Sequence, residues 1–166
     1  FLQPGVDPQN IQGIVLNPMQ QSEPSKVAIF GNACYSWNIW DSKEEANATW
    51  EDSFKYVDHN SAIETDASNA LKELSKHMIN QAMDSRVTAL EESVVLKEKL
   101  NSFKSKLENG TLSEADIDSM IDEFEILQSA AKTYRLQAGN SDIASQIVYW
   151  LDCWDDTTEA AIAYLN

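Results

Sequence analysis

The position of proline divides this chain into two unlike parts. All four prolines fall within the first 24 residues, and three of the five glycines precede residue 40. Proline has no N–H donor and clashes with the preceding helical turn, so a long helix is expected only where proline is absent. The sequence therefore predicts an irregular segment over residues 1–40 and a helical region over residues 41–166. At 166 residues, both parts belong to a single domain with a hydrophobic core.

The N-terminal segment contains two short apolar runs, at residues 11–16 and 27–30. These runs are either the two strands of a short β-hairpin or extended chain that packs on helices. A two-stranded hairpin is only marginally stable by itself. In both cases we expect residues 1–40 to pack on the helical bundle.

Helix start and stop signals divide the rest of the chain. Asp41, followed by Glu44, has the pattern of an N-cap and predicts a helix that ends near His59. Ser113 is the predicted N-cap of a later helix, and Gly139 ends it. A last helix begins at Ser141 or Asp142 and continues close to the C-terminus, with apolar residues at steps of three and four.

The middle of the helical region is open to two interpretations. Apolar residues recur at helical spacing from about Ile63 to Glu108, but the spacing slips near Ser85. The segment is therefore either one helix of about 70 Å or two helices. Short turns between amphipathic helices favour antiparallel packing. The predicted fold is all-α, an elongated antiparallel bundle of three or four helices.

The charge of the chain limits its partners. It has 12 basic and 27 acidic residues, which give a formal net charge of −15. Nucleic acids and anionic membranes bind basic surfaces, so neither is an expected partner. No apolar stretch reaches the roughly 20 residues that span a bilayer. Cationic partners and mimicry of a polyanion remain compatible with this charge.

The motifs of common enzyme classes are missing. The five glycines are too dispersed for a phosphate-binding or dinucleotide-binding loop. The two histidines, His59 and His77, stand far apart and do not form a zinc motif. Glu73 and His77 share a helix face, where an ion pair is expected rather than a metal site. We therefore predict no catalytic residue, no metal and no cofactor, and a protein that is not an enzyme.

The two cysteines suggest a compartment. A disulfide between Cys34 and Cys153 would join the N-terminal segment to the last helix and would constrain a long loop in the unfolded chain. The alternative is two unrelated buried thiols. The disulfide, the acidic charge and a first residue other than Met together favour an extracytoplasmic location.

The aromatic residues near both cysteines suggest a binding site. All five tryptophans lie in these regions, close to acidic residues. Aromatic faces beside carboxylates suit cations, and aromatic rings also stack on sugars. The alternative is that the tryptophans anchor the core. The predicted ligand- or partner-binding residues are Trp37, Trp40, Trp50, Trp150, Trp154, Asp152 and Asp155.

These observations lead to a functional hypothesis and two alternatives. The first is a non-enzymatic extracytoplasmic module that binds another macromolecule, such as a basic protein, through a helix face or its aromatic end. The second is a sensor domain that binds a small cation or sugar in a pocket of tryptophans and acids. The third is an inhibitor that mimics nucleic acid, for which the charge is suitable.

Overall fold

The computed structural model describes residues 5, 7–77 and 93–166, and over these ranges the protein is a bundle of helices. After a 3-10 turn at Pro8–Asn10, the helices follow in chain order. They are α1 (Lys26–Trp37), α2 (Lys43–His59), α3 (Asp66–Ser75), α4 (Val94–Glu108), α5 (Glu114–Gln137), α6 (Ser141–Gln146) and α7 (Val148–Leu165). The predicted all-α fold is confirmed.

Side-chain caps begin four of these helices. The Ser42 hydroxyl accepts a hydrogen bond from the N–H of Glu45 at 3.2 Å, so Ser42, and not Asp41, is the N-cap of α2. Thr65 at α3 and the predicted Ser113 at α5 each form a reciprocal capping box. The Asn140 side chain caps α6. Each cap pairs backbone N–H groups that have no partner within their helix.

The main core lies where α5 packs against α3 and α7, with α2 closing it from one side. Its fully buried side chains come from helices in both halves of the chain. They are Phe54, Leu74, Ala131, Tyr134, Ile143 and Leu151, each 1% exposed or less. A smaller cluster, formed by Tyr35, Trp40 and Ala46, lies between α1 and α2.

The prediction for the N-terminal segment needs correction, because part of it is helical. The run at residues 27–30 lies inside α1, and no strand or β-hairpin occurs in the described ranges. Gly31 and Tyr35, four residues apart, form the buried face of α1. Gly31 thus lies within a helix and does not break it. Residues 11–19 do lie outside regular structure.

A single helix over residues 63–108 is also excluded. In one continuous helix, His77 and Ser93 would lie about 24 Å apart along the axis. In the structure His77 Nδ1 is 2.8 Å from Ser93 Oγ, and the N–H of Ser93 donates to the carbonyl of Lys76 at 3.3 Å. Ser93 therefore lies beside the end of α3, and α3 and α4 are separate helices. The slip predicted near Ser85 lies outside the described residues.

Two further helix boundaries complete the comparison with the sequence. Helix α4 ends at Glu108, and the Gly110 that follows has a φ of +66°, a backbone conformation that favours glycine. The last predicted helix is interrupted at the buried Ile147, which separates α6 from α7. In the described part of the chain, no helix is long and apolar enough to cross a membrane.

Candidate functional site

A cleft lies between α1, the end of α2 and the turn from α5 to α6. It has a volume of about 700 Å³. Phe30 of α1 and Tyr56 of α2 stack in it, with ring centroids 5.5 Å apart. Its polar lining includes Asp58, His59 and Asn140. An aromatic pair beside polar groups makes this cleft a candidate for binding.

Asp58 is the most deeply buried charged group of the cleft. Its side chain is 1% exposed. Its oxygens accept hydrogen bonds from the N–H of Gly139 at 3.1 and 3.2 Å and from the N–H of Asn140 at 3.3 Å. A buried carboxylate needs such donors, because burial without them carries a large free-energy cost. The hydrogen-bonding capacity of Asp58 is therefore directed at the protein backbone.

The other polar groups of the cleft are paired in the same way. The ring nitrogens of His59 lie 3.2 Å from Asp58 Oδ2 and 2.6 Å from the carbonyl of Ile63. The Asn140 amide donates to Glu23 Oε2 at 3.1 Å. Interactions with Lys26 and Asn140 lower the pKa of Glu23. These hydrogen bonds connect the helices around the cleft, and we call this connection the joint. The polar groups that could bind a ligand are therefore already paired within the protein.

Tyr134 lies beneath this joint. It is fully buried, and its hydroxyl has no hydrogen-bond partner among the described residues. Burial raises the pKa of its phenol, and the nearby Asp58 carboxylate raises it further. The phenol is therefore neutral at physiological pH and acts as part of the core.

A second, mostly apolar groove of about 680 Å³ runs between the end of α1 and the start of α2. Cys34, Trp37 and Trp40 are among its lining residues. Trp37 is 91% exposed, whereas Trp40 is 3% exposed and contacts Tyr35 edge to face. Of the predicted aromatic residues, these two share a site.

The remaining predicted aromatic residues lie elsewhere. Trp50 packs edge to face on Phe54 and, like Trp154, lies against the main core. Trp154 also contacts the ring of His77, with centroids 5.4 Å apart. Trp150 is 44% exposed on α7. The tryptophans are thus spread over two clusters, and the structure does not gather them into one pocket. Their binding role stays a prediction.

The two predicted acidic residues on α7 do come together. Nη2 of Arg135 lies 3.0 Å from Asp152 Oδ1 and 3.0 Å from Asp155 Oδ2. One guanidinium nitrogen on α5 thus bridges two carboxylates on α7. The arrangement ties two helices together, and its binding role is likewise untested.

The predicted disulfide is absent. Cys34 is half-buried beside the small core cluster, Cys153 is exposed on α7, and both are free thiols. Cys153 Sγ lies 3.9 Å from Thr157 Oγ1, one turn along its own helix. Cys34 lies beside the small cluster of Tyr35 and Trp40, whereas Trp154, the neighbour of Cys153, lies against the main core, so the aromatic residues next to the two cysteines do not meet. Burial, and then the charge of Asp52, raises the pKa of the Cys34 thiol.

Sequence reasoning missed the joint formed by Asp58, Gly139 and Asn140. The sequence predicts a helix end near His59 and a helix stop at Gly139, but no contact between them. No local pattern signals a contact across 81 residues. In the described part of the chain, no group of three His, Cys, Asp or Glu residues is arranged to hold a metal ion.

Comparisons with known proteins give information on function. A family model described as beta-N-acetylglucosaminidase matches residues 1–76. The solved structure of CpGH84D is similar to 99% of this chain, with 33% sequence identity and a TM-score of 0.82. The chain spans 26% of the length of CpGH84D, about a quarter.

These findings overturn the prediction of a non-enzymatic interaction module. They support a domain associated with glycoside hydrolases instead. The sensor and the nucleic-acid mimic, given as alternatives, are not retained either. The absence of phosphate-binding, dinucleotide-binding and zinc motifs does not exclude a glycosidase, because most glycosidases use a pair of Asp or Glu carboxyl groups instead.

Proposed function

We propose that this chain is a helical portion of a β-N-acetylglucosaminidase, an enzyme that hydrolyses β-linked N-acetylglucosamine. The observation that carries the proposal is the similarity to CpGH84D, in which sequence and fold agree over nearly the whole chain. The beta-N-acetylglucosaminidase model over residues 1–76 supports the substrate class.

The packing of the chain indicates that its two parts form one folded unit. Residues 1–76 include α1, α2 and α3, whereas α4 to α7 lie beyond the family match. The main core combines Phe54 and Leu74 from the first part with Ala131 and Leu151 from the second. The second part therefore buries apolar surface of the first, and we propose that it stabilises the region that matches the glycosidase family.

Hydrogen bonds link the same two parts at the entry to α1. The N–H of Glu23 donates to Gln146 Oε1 at 2.9 Å, and the Glu23 carboxylate accepts from Asn140. The Asp58 carboxylate binds the same turn. These contacts hold the chain just before α1 in a defined place, and so they would position the segment that precedes it.

The acid–base chemistry of glycoside hydrolysis sets a requirement that two carboxyl groups of this chain do not meet. Most glycosidases need a carboxylic acid with a raised pKa as proton donor. The pKa values of Glu73 and Asp116 are lowered to about 2, by His77 and by Lys106 respectively as the largest causes. Glu73 and Asp116 are thus ionised at neutral pH. Because the chain spans only 26% of the length of CpGH84D, we propose that the catalytic carboxyl groups lie in the part of the parent enzyme beyond these 166 residues.

The test compares two forms of the protein, the 166-residue chain and the full reading frame that contains it. Both are assayed with 4-nitrophenyl β-N-acetylglucosaminide, and with 4-nitrophenyl β-glucoside as the matched control substrate. We expect hydrolysis of the first substrate by the longer protein alone. Cleavage of the glucoside in preference would show that the substrate class is wrong. Hydrolysis by the 166-residue chain would show that the catalytic groups are misplaced.

An extracytoplasmic location is part of this proposal. The net charge of −15 is compatible with it, but the free cysteines remove one of the reasons for predicting it. Fractionation of the source cells tests this location. We expect to detect the longer protein in the medium or the cell envelope. Recovery from the cytoplasm alone would contradict it.

A further inference from the structure

Residues 11–19 form an exposed apolar segment. Five of these nine residues are large and apolar, and all five are at least 40% exposed. They are Ile11, Ile14, Val15, Leu16 and Met19. Val15 is 97% exposed and Met19 is 68% exposed. Single exposed apolar residues are ordinary, but several of them within one short segment mark a surface that something else covers.

The backbone of this segment is also unpaired. Residues 11–18 make no hydrogen bond to the other described residues. The next backbone donor, the N–H of Met19, bonds to the Ser25 hydroxyl at 3.1 Å. Backbone N–H and C=O groups beside buried apolar side chains require partners. If the apolar residues are covered, their backbone groups must be paired by whatever covers them.

The sequence of the segment indicates the kind of pairing. Ile11, Ile14 and Val15 are β-branched and favour strands. Ile14, Val15 and Leu16 are consecutive, and such runs are typical of parallel strands buried on both faces. Helix α1 begins at Lys26, ten residues after Leu16. A strand followed by a helix is the order found in parallel sheets.

The partner strand is not in the described part of this chain, which contains helices and no strands. The family match includes residues 11–19, and this chain spans 26% of CpGH84D. The relative therefore has a large portion without counterpart in this chain. That portion is a suitable source of a sheet, because it would belong to the same polypeptide and would be attached next to this segment.

We propose that residues 11–16 form a β-strand that joins a sheet in the rest of the parent glycosidase, with α1 as the helix that follows it. This inference rests on the proposed function for the existence of that longer chain. The occupant of the apolar surface is the remainder of the same polypeptide, held in register by main-chain hydrogen bonds. Asn140 and Gln146 hold Glu23, seven residues after the proposed strand, against the helical bundle.

Amide hydrogen exchange read by mass spectrometry tests the pairing. In the 166-residue chain, peptides that cover residues 11–18 should exchange as unprotected backbone does. In the longer protein they should exchange at least about a hundredfold more slowly, because paired amides must open first. Equal, fast exchange in both forms would overturn the proposal. Protection of the 166-residue chain that rises with its concentration would also overturn it, since a second copy would then be the occupant.

A pair of substitutions tests the burial of the side chains. Val15→Asp should leave the melting temperature of the 166-residue chain unchanged but should lower that of the longer protein. Val95→Asp makes the same chemical change at a 63% exposed position on α4 and should affect neither form. An unchanged longer protein with Val15→Asp would contradict the proposal.

The activity assay separates this inference from the proposed function. Protection of residues 11–18 in a longer protein that does not cleave the N-acetylglucosaminide would leave the strand in place and refute the substrate class. Full activity without protection would refute the strand and leave the substrate class in place.

Discussion

The carboxylate of Asp58 accepts hydrogen bonds from the backbone N–H of Gly139 at 3.1 Å and 3.2 Å, across 81 residues of sequence. Asp58 lies in the last turn of α2, and Gly139 lies in the turn between α5 and α6. The contact therefore joins the part of the chain that matches the glycosidase family to the helices beyond it.

Replacement of Asp58 should destabilise the fold. Asp58→Ala leaves the N–H groups of Gly139 and Asn140 without their acceptor, and buried donors of this kind cost about 1–3 kcal/mol. Asp58→Asn keeps one acceptor oxygen and should cost less. Urea unfolding followed by circular dichroism measures both. The control is Asp52→Asn, which removes an exposed ion pair with Lys55 and should cost at most about 0.5 kcal/mol. Equal effects at the two positions would contradict the role of Asp58.

Gly139 is required for a steric reason. A Cβ atom at this position would lie 2.8 Å from His59 Cβ and 3.0 Å from the backbone oxygen of Asp58. Backbone atoms cannot move aside cheaply, so Gly139→Ala should lower the free energy of unfolding by about 1–3 kcal/mol. A Cβ atom on Gly13 meets nothing within 4 Å, so Gly13→Ala should be neutral or slightly stabilising. Equal unfolding midpoints for the two variants would refute the close approach.

Helix ends were the most predictable features of this fold. Ser113 begins α5, and the turn at Gly139 ends it, as the sequence indicates. Such signals are local, because a cap pairs a side chain with a backbone group two or three residues away. Cap position was wrong by one residue at α2, where Ser42 competes with its neighbour Asp41. Boundaries of this kind depend on small energy differences between adjacent residues.

Features that depend on distant contacts were not predictable in this way. Gly31 lies in the segment that the sequence predicts to be irregular, and its burial on a helix becomes clear only from the fold. The disulfide was expected because aromatic residues surround both cysteines, but those residues serve two separate clusters. The joint at Asp58 likewise joins residues that are not linked by any local pattern. The proposed substrate class rests on the comparisons with known proteins.

The Glu73 carboxyl makes stability depend on pH. His77, and then Lys76, lowers its pKa to about 2 from a usual 4.5. The unfolded chain therefore binds more protons in this range, so the interaction stabilises the fold above about pH 4.5 and is lost as the pH falls towards 2. The free energy of unfolding should fall from pH 5 to pH 3 by roughly 1–2 kcal/mol more in the wild type than in Glu73→Gln.

Urea unfolding at several pH values measures this difference. Glu51→Gln, on an exposed position of α2, makes the same chemical change and controls for the loss of one carboxyl. Parallel pH profiles for the wild type and Glu73→Gln would contradict the assigned interaction.

The two cysteines should differ in reactivity. Cys153 is exposed, whereas Cys34 is half-buried and its thiol has a raised pKa, which lowers the fraction of reactive thiolate. Iodoacetamide should therefore add rapidly to one cysteine of the native protein and to both in urea. Cys153→Ser should abolish the rapid addition, while Cys34→Ser should preserve it. An intact mass recorded without reductant should equal that of the fully reduced chain. A mass short by two hydrogens, with neither cysteine reactive in urea, would restore the disulfide and contradict the separation of the two aromatic clusters.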